Sequence, residues 1–271
     1  MANLQTIQKI GPILDLFTAE CPEWGVREVA ATVGIPRSTA HSVMASLVET
    51  GLLQCRARGR YRIGWRVVEL SEALRGTIDV RSCAAPHLDR LVETHGETCH
   101  LAVLERGRIL YVDKLLGTHN ISVRGANVGA RLEAHSTAVG KVLLAQLEHA
   151  ELSRMIDGAP LRRHTATTVT DPTALRATLR QVRGTGYAVD LGETIPEVHC
   201  VAAPVRDEMG SVVAAVSVSV PASRFRARRA ELTRAVVETA RGVSRDLVDA
   251  AAPQPASALP AAVVGLERTA S

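Results

Sequence analysis

Residues 24–64 read WGVREVAATVGIPRSTAHSVMASLVETGLLQCRARGRYRIG and are the most informative stretch of this chain. Apolar residues recur there at helical spacing in two short segments, and Gly34 separates the two. Pro36 follows the glycine and suits the start of a second helix. Short strand-like runs come next, on either side of the turn Arg58-Gly59-Arg60. This order predicts a winged helix-turn-helix, a module that places one helix in the major groove of DNA.

The second predicted helix has an apolar face and a polar face. The apolar set consists of Ala40, Val43, Met44, Leu47 and Val48. The candidate DNA-binding residues lie near the N-terminus of the same helix: Arg37, Ser38, Thr39, His41 and Ser42. Hydroxyl, imidazole and guanidinium groups can reach phosphates or base edges. The pattern alone is equally consistent with an ordinary helical hairpin.

Positive charge is concentrated in this part of the chain. Residues 36–66 contain six arginines and one acidic residue, Glu49, so their net charge is +5, whereas the whole chain carries +4. Such a cluster is typical of a surface that binds phosphates, and we expect Arg58, Arg60 and Arg62 of the wing to contact the DNA backbone. The alternative is a solvated charged hairpin without a partner.

Length and composition restrict the class of protein. The 271 residues are 46% hydrophobic, which allows two modest domains with real cores. No apolar run is long enough for a membrane span, and the N-terminus has no signal-peptide pattern. The five cysteines are scattered without CxxC spacing, which indicates a reduced, cytoplasmic protein. The nine histidines show neither HExxH nor HxH spacing, so we expect no metal site and no cofactor.

The chain is predicted to have an α+β fold in four segments. Residues 1–64 form the winged helix-turn-helix domain, and residues 65–78 form a linker helix. Residues 79–249 mix strands, hairpins and helices, which predicts an effector-binding domain around an antiparallel sheet. The tail, 250–271, is rich in Ala and Pro and is expected to be disordered.

The chain resembles the IclR family of bacterial transcriptional regulators. The resemblance covers roughly residues 4–248 and rests on the motifs GIPRSTAHSVMASLVETGLL, YRIGWRVVEL, AHSTAVGKVLLA, GYAVDLGE, CVAAPV and VSVSVPASRF. It implies a C-terminal domain of GAF-like fold, a homodimer or dimer of dimers on double-stranded operator DNA, and most often repression of a catabolic operon. The family commonly has arginine directly after the position of His41, where this chain has Ser42. The operator sequence therefore cannot be taken over from the family.

The resemblance also implies an effector pocket between the curved sheet and the helix that begins near His135. Its candidate residues are Arg124, Leu132, Ala138, Val139, Gly140, Asp190, Cys200, Ser217 and Ser219, with Ile121 as a further apolar wall. A helix N-terminus presents free N–H groups that suit a carboxylate, so we expect a small organic acid at residues 136–140. Ser217 and Ser219 are two residues apart and share one face of a strand.

Four of the pocket residues also have a purely structural explanation. The two serines would face water if one side of the sheet were solvated. Independently of this, Cys200 would be a small buried apolar residue, and Asp190 would cap a turn.

Two other classes of function are catalysis and redox sensing. Catalysis is disfavoured, because His199 and Cys200 are adjacent in a strand and point to opposite faces. The AVGKVLL segment lacks the glycine and the hydroxyl residue of a phosphate loop, so no catalytic residue is assigned. A redox-responsive regulator is the alternative function, with Cys55 among the wing arginines or Cys200 in the pocket as the sensing thiol.

Overall fold

The computed structural model describes residues 5–18, 20–75, 80–119 and 125–251. The chain divides into two compact units, Met1–Thr77 and Ile78–Ser271. The predicted strand at residues 120–124, the end of the predicted linker helix and the tail beyond residue 251 lie outside the described residues. Among the residues described, none of the helices combines the length and the apolar character that a membrane crossing requires.

The N-terminal unit packs helices against a three-stranded sheet with strand order β1-β3-β2. The helices are α1 (Gln5–Leu14), α2 (Val26–Val33), α3 (Arg37–Glu49) and α4 (Arg66–Arg75). The strands are β1 (Trp24–Gly25), β2 (Leu53–Cys55) and β3 (Arg60–Ile63). Its core contains Ile13, Val29, Ala40, Val43, Met44, Leu47, Leu53 and Tyr61. The winged helix-turn-helix order predicted from residues 24–64 is confirmed.

The turn between α2 and α3 follows from two residues. Gly34 ends α2 in the left-handed conformation, with φ 73°, and its N–H donates to the carbonyl of Ala30. Pro36 is the N-cap of α3, so the first helical residue is Arg37. Strand β1 was not predicted, because two residues are too short to carry an alternating pattern; Trp24 pairs with Tyr61 of β3.

The C-terminal unit is built on one six-stranded antiparallel sheet with strand order β6-β5-β4-β9-β8-β7. The strands are β4 (Thr98–Glu105), β5 (Arg108–Leu115), β6 (Arg131–Leu132), β7 (Ala188–Leu191), β8 (Val198–Arg206) and β9 (Val212–Pro221). The helices are α5 (Val80–His95), α6 (Ala138–Leu144), α7 (His149–Asp157), α8 (Pro172–Thr185) and α9 (Ala222–Ala251). This confirms the predicted α+β class with an antiparallel sheet.

Both faces of this sheet are covered. On β9, Val216, Val218 and Val220 pack with α5 and α9, whereas Ala215 packs with α6 and α8 on the other face. Ser217 and Ser219 alternate with these valines and are buried, at 4% and 2% exposure. The alternative that would place the two serines in solvent is therefore wrong, because helices exclude water from both sides.

Candidate functional site

The exposed face of α3 carries most of the predicted DNA-binding residues. Arg37, Ser38, His41 and Ser42 are exposed, and Thr39 is half-buried. Ala40, Val43, Met44 and Leu47 are buried on the opposite face and fix the orientation of the helix. Ser46, one turn beyond Ser42, is also exposed on this surface, although it was not among the predicted residues. The helix thus presents short polar groups flanked by one cation at its N-terminus.

The wing arginines differ in what they contact. Arg60 binds within the unit: its guanidinium lies 2.5 Å from Glu28 Oε2 and donates to the carbonyl of Glu23 at 2.6 Å. Arg62 donates twice to Gln54 Oε1 across the β2–β3 pair, at 3.0 and 3.2 Å. Two of the three predicted phosphate contacts are therefore already engaged by protein groups, which the sequence did not indicate.

Arg58 lies at the tip of the wing, in a 3-10 turn over Ala57–Gly59. Its side chain is exposed and makes no ion pair within the part of the chain that the structure describes. Its φ is 60°, in the left-handed region that a residue with a Cβ rarely adopts. Glycine would adopt this backbone conformation at lower cost than arginine. The presence of arginine therefore favours a role for its positive charge.

A small cavity lies between α6 and the sheet of the C-terminal unit. Its walls include seven predicted effector residues, which are Leu132, Ala138, Val139, Asp190, Cys200, Ser217 and Ser219. Tyr111, Thr137, Thr194, Ile195 and Val198 complete it and were not predicted as pocket residues. The space open to the centres of water molecules is about 20 Å³, which is enough for one or two waters.

Polar groups cross the sheet in a row beneath this cavity. Asp190, Cys200 and Ser219 are directly paired across β7, β8 and β9. Cys200 Sγ lies 3.2 Å from Ser219 Oγ, which lies 3.4 Å from Nδ1 of His100. Burial lowers the pKa of His100 to about 3, so this imidazole is neutral. The row gives an otherwise apolar cavity several hydrogen-bonding groups on one side.

The N-terminus of α6 forms the opposite wall. Thr137 is its N-cap, and Oγ1 of Thr137 accepts a hydrogen bond from the Gly140 N–H at 3.1 Å. The first intrahelical bond is donated by the N–H of Lys141, so the N–H groups of Ala138 and Val139 precede it. Gly140 is not a wall of the cavity. A Cβ there would lie 2.1 Å from the carbonyl oxygen of Ala134, so the glycine allows the close approach of that segment.

A buried ion pair joins α6 to β7 and the residues that follow it. Nζ of Lys141 contacts Glu193 Oε1 and donates to the carbonyl of Val189 at 3.0 Å. Lys141 is 2% exposed. The lysine of the GK sequence is therefore a structural cation, and it is not available to bind a phosphate. Glu193 lies 52 residues away in the chain, so no local motif pointed to this pair.

Asp190 is the ionisable group in the cavity wall. Burial raises the pKa of its carboxyl to about 7, although hydrogen bonds from the backbone and the nearby Lys141 act in the opposite direction. Its Oδ1 accepts a hydrogen bond from the Glu193 N–H at 2.6 Å. Asp190 is thus both a turn cap, as the structural explanation held, and part of the cavity wall. Arg124 and Ile121 lie outside the described residues.

The thiols give no support to catalysis or to redox sensing in the cavity. His199 packs edge-on against Phe225 with ring centroids 5.5 Å apart, on the face away from Cys200. Burial raises the pKa of Cys200 far above its ordinary range, which disfavours the reactive thiolate. Cys55 is exposed in the wing, where its Sγ lies 3.6 Å from the Arg56 carbonyl, and its redox role stays a prediction.

Comparison with known proteins agrees with this geometry. Residues 6–56 match the IclR helix-turn-helix domain, and residues 73–245 match the family described as bacterial transcriptional regulator IclR C-terminal. The HTH-type transcriptional regulator XynR from Escherichia coli is 35% identical over 225 residues, which are 83% of this chain and 89% of XynR. The HTH-type transcriptional repressor AllR from Salmonella typhimurium is 32% identical over 227 residues, or 82% of each chain.

A solved structure is similar over nearly the same length. An IclR homolog from Microbacterium hydrocarbonoxydans, complexed with 4-hydroxybenzoate, has a TM-score of 0.79 and 30% identity and covers 90% of this chain and 99% of its own. The relatives are transcriptional regulators, as expected for a chain without assigned catalytic residues. By its two family matches and these relatives, the chain belongs to the IclR family and is a DNA-binding transcriptional regulator.

Proposed function

We propose that this protein is a repressor of a catabolic operon whose DNA binding is controlled by a small organic acid. The observation that carries the proposal is the small cavity of the C-terminal unit, which is lined by the first residues of α6, Ala138 and Val139, and by the buried serines of β9. N–H groups at a helix N-terminus favour an anion, and the serine hydroxyls donate hydrogen bonds to its oxygens. The neighbour that binds 4-hydroxybenzoate, itself a carboxylate, supports this assignment.

The size of the cavity favours a compact acid. The space open to the centres of water molecules is about 20 Å³, so a ligand of few atoms needs the least movement of the walls. We therefore infer an aliphatic acid of a few heavy atoms, held between the N–H groups of Ala138 and Val139 and the hydroxyls of Ser217 and Ser219. Leu132 and Ile195 supply apolar contacts. Gly140 allows the close packing of the segment before α6. Arg124 stays a prediction as a cation of the same pocket.

For DNA binding we propose α3 as the recognition helix and Arg58, together with its exposed neighbour Arg56, as the phosphate contacts of the wing. Ser42 lies on the exposed face, where the family commonly has arginine. The DNA sequence that this protein binds must therefore be measured. Such a regulator would act in the cytoplasm, as a homodimer or dimer of dimers. Exposed apolar side chains of the segment around α4, among them Trp65, Val68 and Leu74, are consistent with contacts between copies.

Titration calorimetry with a panel of small acids tests the effector class. The panel should pair each acid with its neutral amide, and should contain two-carbon to four-carbon acids beside 4-hydroxybenzoate. We expect binding of a compact acid and at least tenfold weaker binding of its amide, because the amide lacks the negative charge that the helix N-terminus attracts. Binding of neutral or cationic compounds alone would sink the proposal.

A further inference from the structure

A second cluster of chemically active side chains lies outside the effector cavity. Glu133, His135 and His164 each offer one ligand atom, and the three atoms lie within 4.8 Å of one another. Nε2 of His164 is 3.1 Å from Glu133 Oε2, and Nδ1 of His135 is 3.7 Å from the same oxygen. The two imidazole rings are stacked with centroids 6.1 Å apart.

The hydrogen bonds of His135 determine which of its nitrogens is free. Its Nε2 lies 2.9 Å from the carbonyl oxygen of Arg162, and a carbonyl can only accept, so Nε2 carries the proton. A neutral ring with its proton on Nε2 has the lone pair of Nδ1 on the side of Glu133, 3.7 Å from Oε2. A histidine whose other N–H donates to a backbone carbonyl is the usual form of a metal ligand, and a cation between Nδ1 and Oε2 would be bound by both atoms.

The backbone around these ligands is fixed by other bonds. Oγ1 of Thr168 accepts from the N–H of His164 at 3.1 Å and donates to the carbonyl of Glu193 at 2.6 Å. Thr165 donates to the carbonyl of Gly192 at 2.7 Å. His164 is therefore held close to Glu133 independently of any ion, which reduces the ordering cost of binding.

We propose that Glu133, His135 and His164 form a binding site for a divalent first-row transition-metal ion such as Zn²⁺. Two imidazoles and one carboxylate suit such ions, and ligand atoms of a tetrahedral zinc site lie about 3.3 Å apart for bonds of about 2.0–2.1 Å. The side chain of His135 is 6% exposed, whereas those of Glu133 and His164 are 29% and 23% exposed. The ion therefore has protein on one side and keeps a position open to water.

The proposed metal site lies next to the segment that leads into α6. Glu133 precedes the 3-10 turn Ala134–Ser136, which leads into Thr137, the cap of α6. A bound ion joins this turn to residues 162–168 and stabilises the segment that leads to the cavity. The sequence prediction of no metal site relied on local histidine spacing, and His164 lies 29 residues beyond His135.

Calorimetric titration of tag-free, chelator-treated full-length protein with Zn²⁺ tests the site. We expect one ion per chain, and His164→Ala and Glu133→Gln should each weaken its affinity by about tenfold or more. His149→Ala removes an exposed histidine outside the cluster and should leave the affinity unchanged. Circular dichroism checks that the variants are folded.

Cobalt distinguishes this site from the exposed Cys21 and Cys55, which also attract zinc. Co²⁺ on nitrogen and oxygen ligands should give visible d–d bands without a thiolate charge-transfer band. Absence of binding, equal affinity in wild type and His164→Ala, or a thiolate band for the bound ion would each overturn the proposal.

Discussion

At the scale of single residues, the cavity depends on side chains that are small and polar in positions where a sheet usually carries valine. Ser217 and Ser219 interrupt a run of buried valines on β9, and Asp190 is buried beside them. Buried hydroxyls and carboxyls are costly unless they are hydrogen-bonded. Asp190 and Ser219 have partners within the protein, and the proposed effector would add hydrogen bonds to the serine hydroxyls.

Ser217→Leu should abolish the response to the effector while DNA binding persists. The larger side chain fills the free space between β9 and α6, at a stability cost of about 1–3 kcal/mol for overpacking. The measurement is effector affinity by calorimetry, together with DNA affinity by fluorescence anisotropy. Ser211→Leu, at the exposed turn before β9, is the matched control and should change neither. Unchanged effector affinity in Ser217→Leu would contradict the pocket assignment.

Asp190 should make effector binding dependent on pH. Burial raises its pKa in the folded protein to about 7, so the carboxyl is neutral below that pH and ionised above it. An anionic effector is repelled by the ionised form, and its affinity should fall as pH rises through about 7. Asp190→Asn removes the charge and should bind the effector with little pH dependence, measured by calorimetry on both sides of the wild-type pKa.

The same residue sets a pH dependence of stability, which serves as the control. Because the folded pKa is raised above the ordinary 3.8, the unfolded chain ionises first and the free energy of unfolding falls between about pH 4 and 7. Asp190→Asn has no carboxyl to titrate and lacks this decrease. Its free energy of unfolding relative to wild type, measured with urea, should therefore increase between about pH 4 and 7. A constant difference between the two proteins would show that Asp190 is not the titrating group.

At the scale of elements, the proposed DNA contacts divide between α3 and the wing. Helix α3 presents short side chains that can approach base edges, and the wing presents arginines. The pairing of Arg60 with Glu28 connects β3 to the start of α2. Exposed ion pairs of this kind contribute little to stability, so its main effect is to hold the guanidinium in place.

Arg58→Asn should weaken binding to all DNA sequences by a similar factor. Asparagine tolerates the left-handed backbone of position 58, so the variant removes the charge without straining the turn. The slope of log affinity against log salt should decrease in magnitude by about one. Arg106→Asn is the matched control, because Arg106 is an exposed arginine at φ 52° in the C-terminal unit. Equal salt slopes for wild type and Arg58→Asn would refute the wing contact.

Arg37→Ala tests the N-terminus of the recognition helix. If Arg37 binds a guanine, the variant should lose about 1–3 kcal/mol on the preferred operator and discriminate less at one base pair. Binding to a set of operators that differ by single base pairs measures this. A uniform loss across the set would instead assign Arg37 to a phosphate, and no loss would remove it from the interface.

At the scale of the whole molecule, an effector controls DNA binding only if its own binding changes the affinity for DNA. For a repressor we expect the effector to reduce DNA affinity by about 5–150-fold. Linkage then requires that operator DNA reduce effector affinity by the same factor. Calorimetry of the effector into free protein and into the protein–operator complex measures both. Effector binding without any change in DNA affinity would contradict a regulatory role for the cavity.

Much of this protein is determined by its sequence alone. The helical spacing around Gly34, the basic turn at Arg58 and the alternation of valine and serine on β9 are local patterns, and each produced the predicted element. The motif positions also placed seven of the nine predicted effector residues around one cavity. Periodicity is informative there because neighbours in the chain decide which face of a helix or strand is apolar.

Pairings between distant residues follow from the tertiary structure and were not predicted. Three such contacts join residues that are 31 or more positions apart in the chain: Arg60 with Glu28, Lys141 with Glu193, and His164 with Glu133. The tertiary structure also set the small volume of the cavity and the burial that raises the pKa of Asp190. The physical reason is that such contacts depend on how helices and sheet pack against each other, and no local pattern in the chain records that packing.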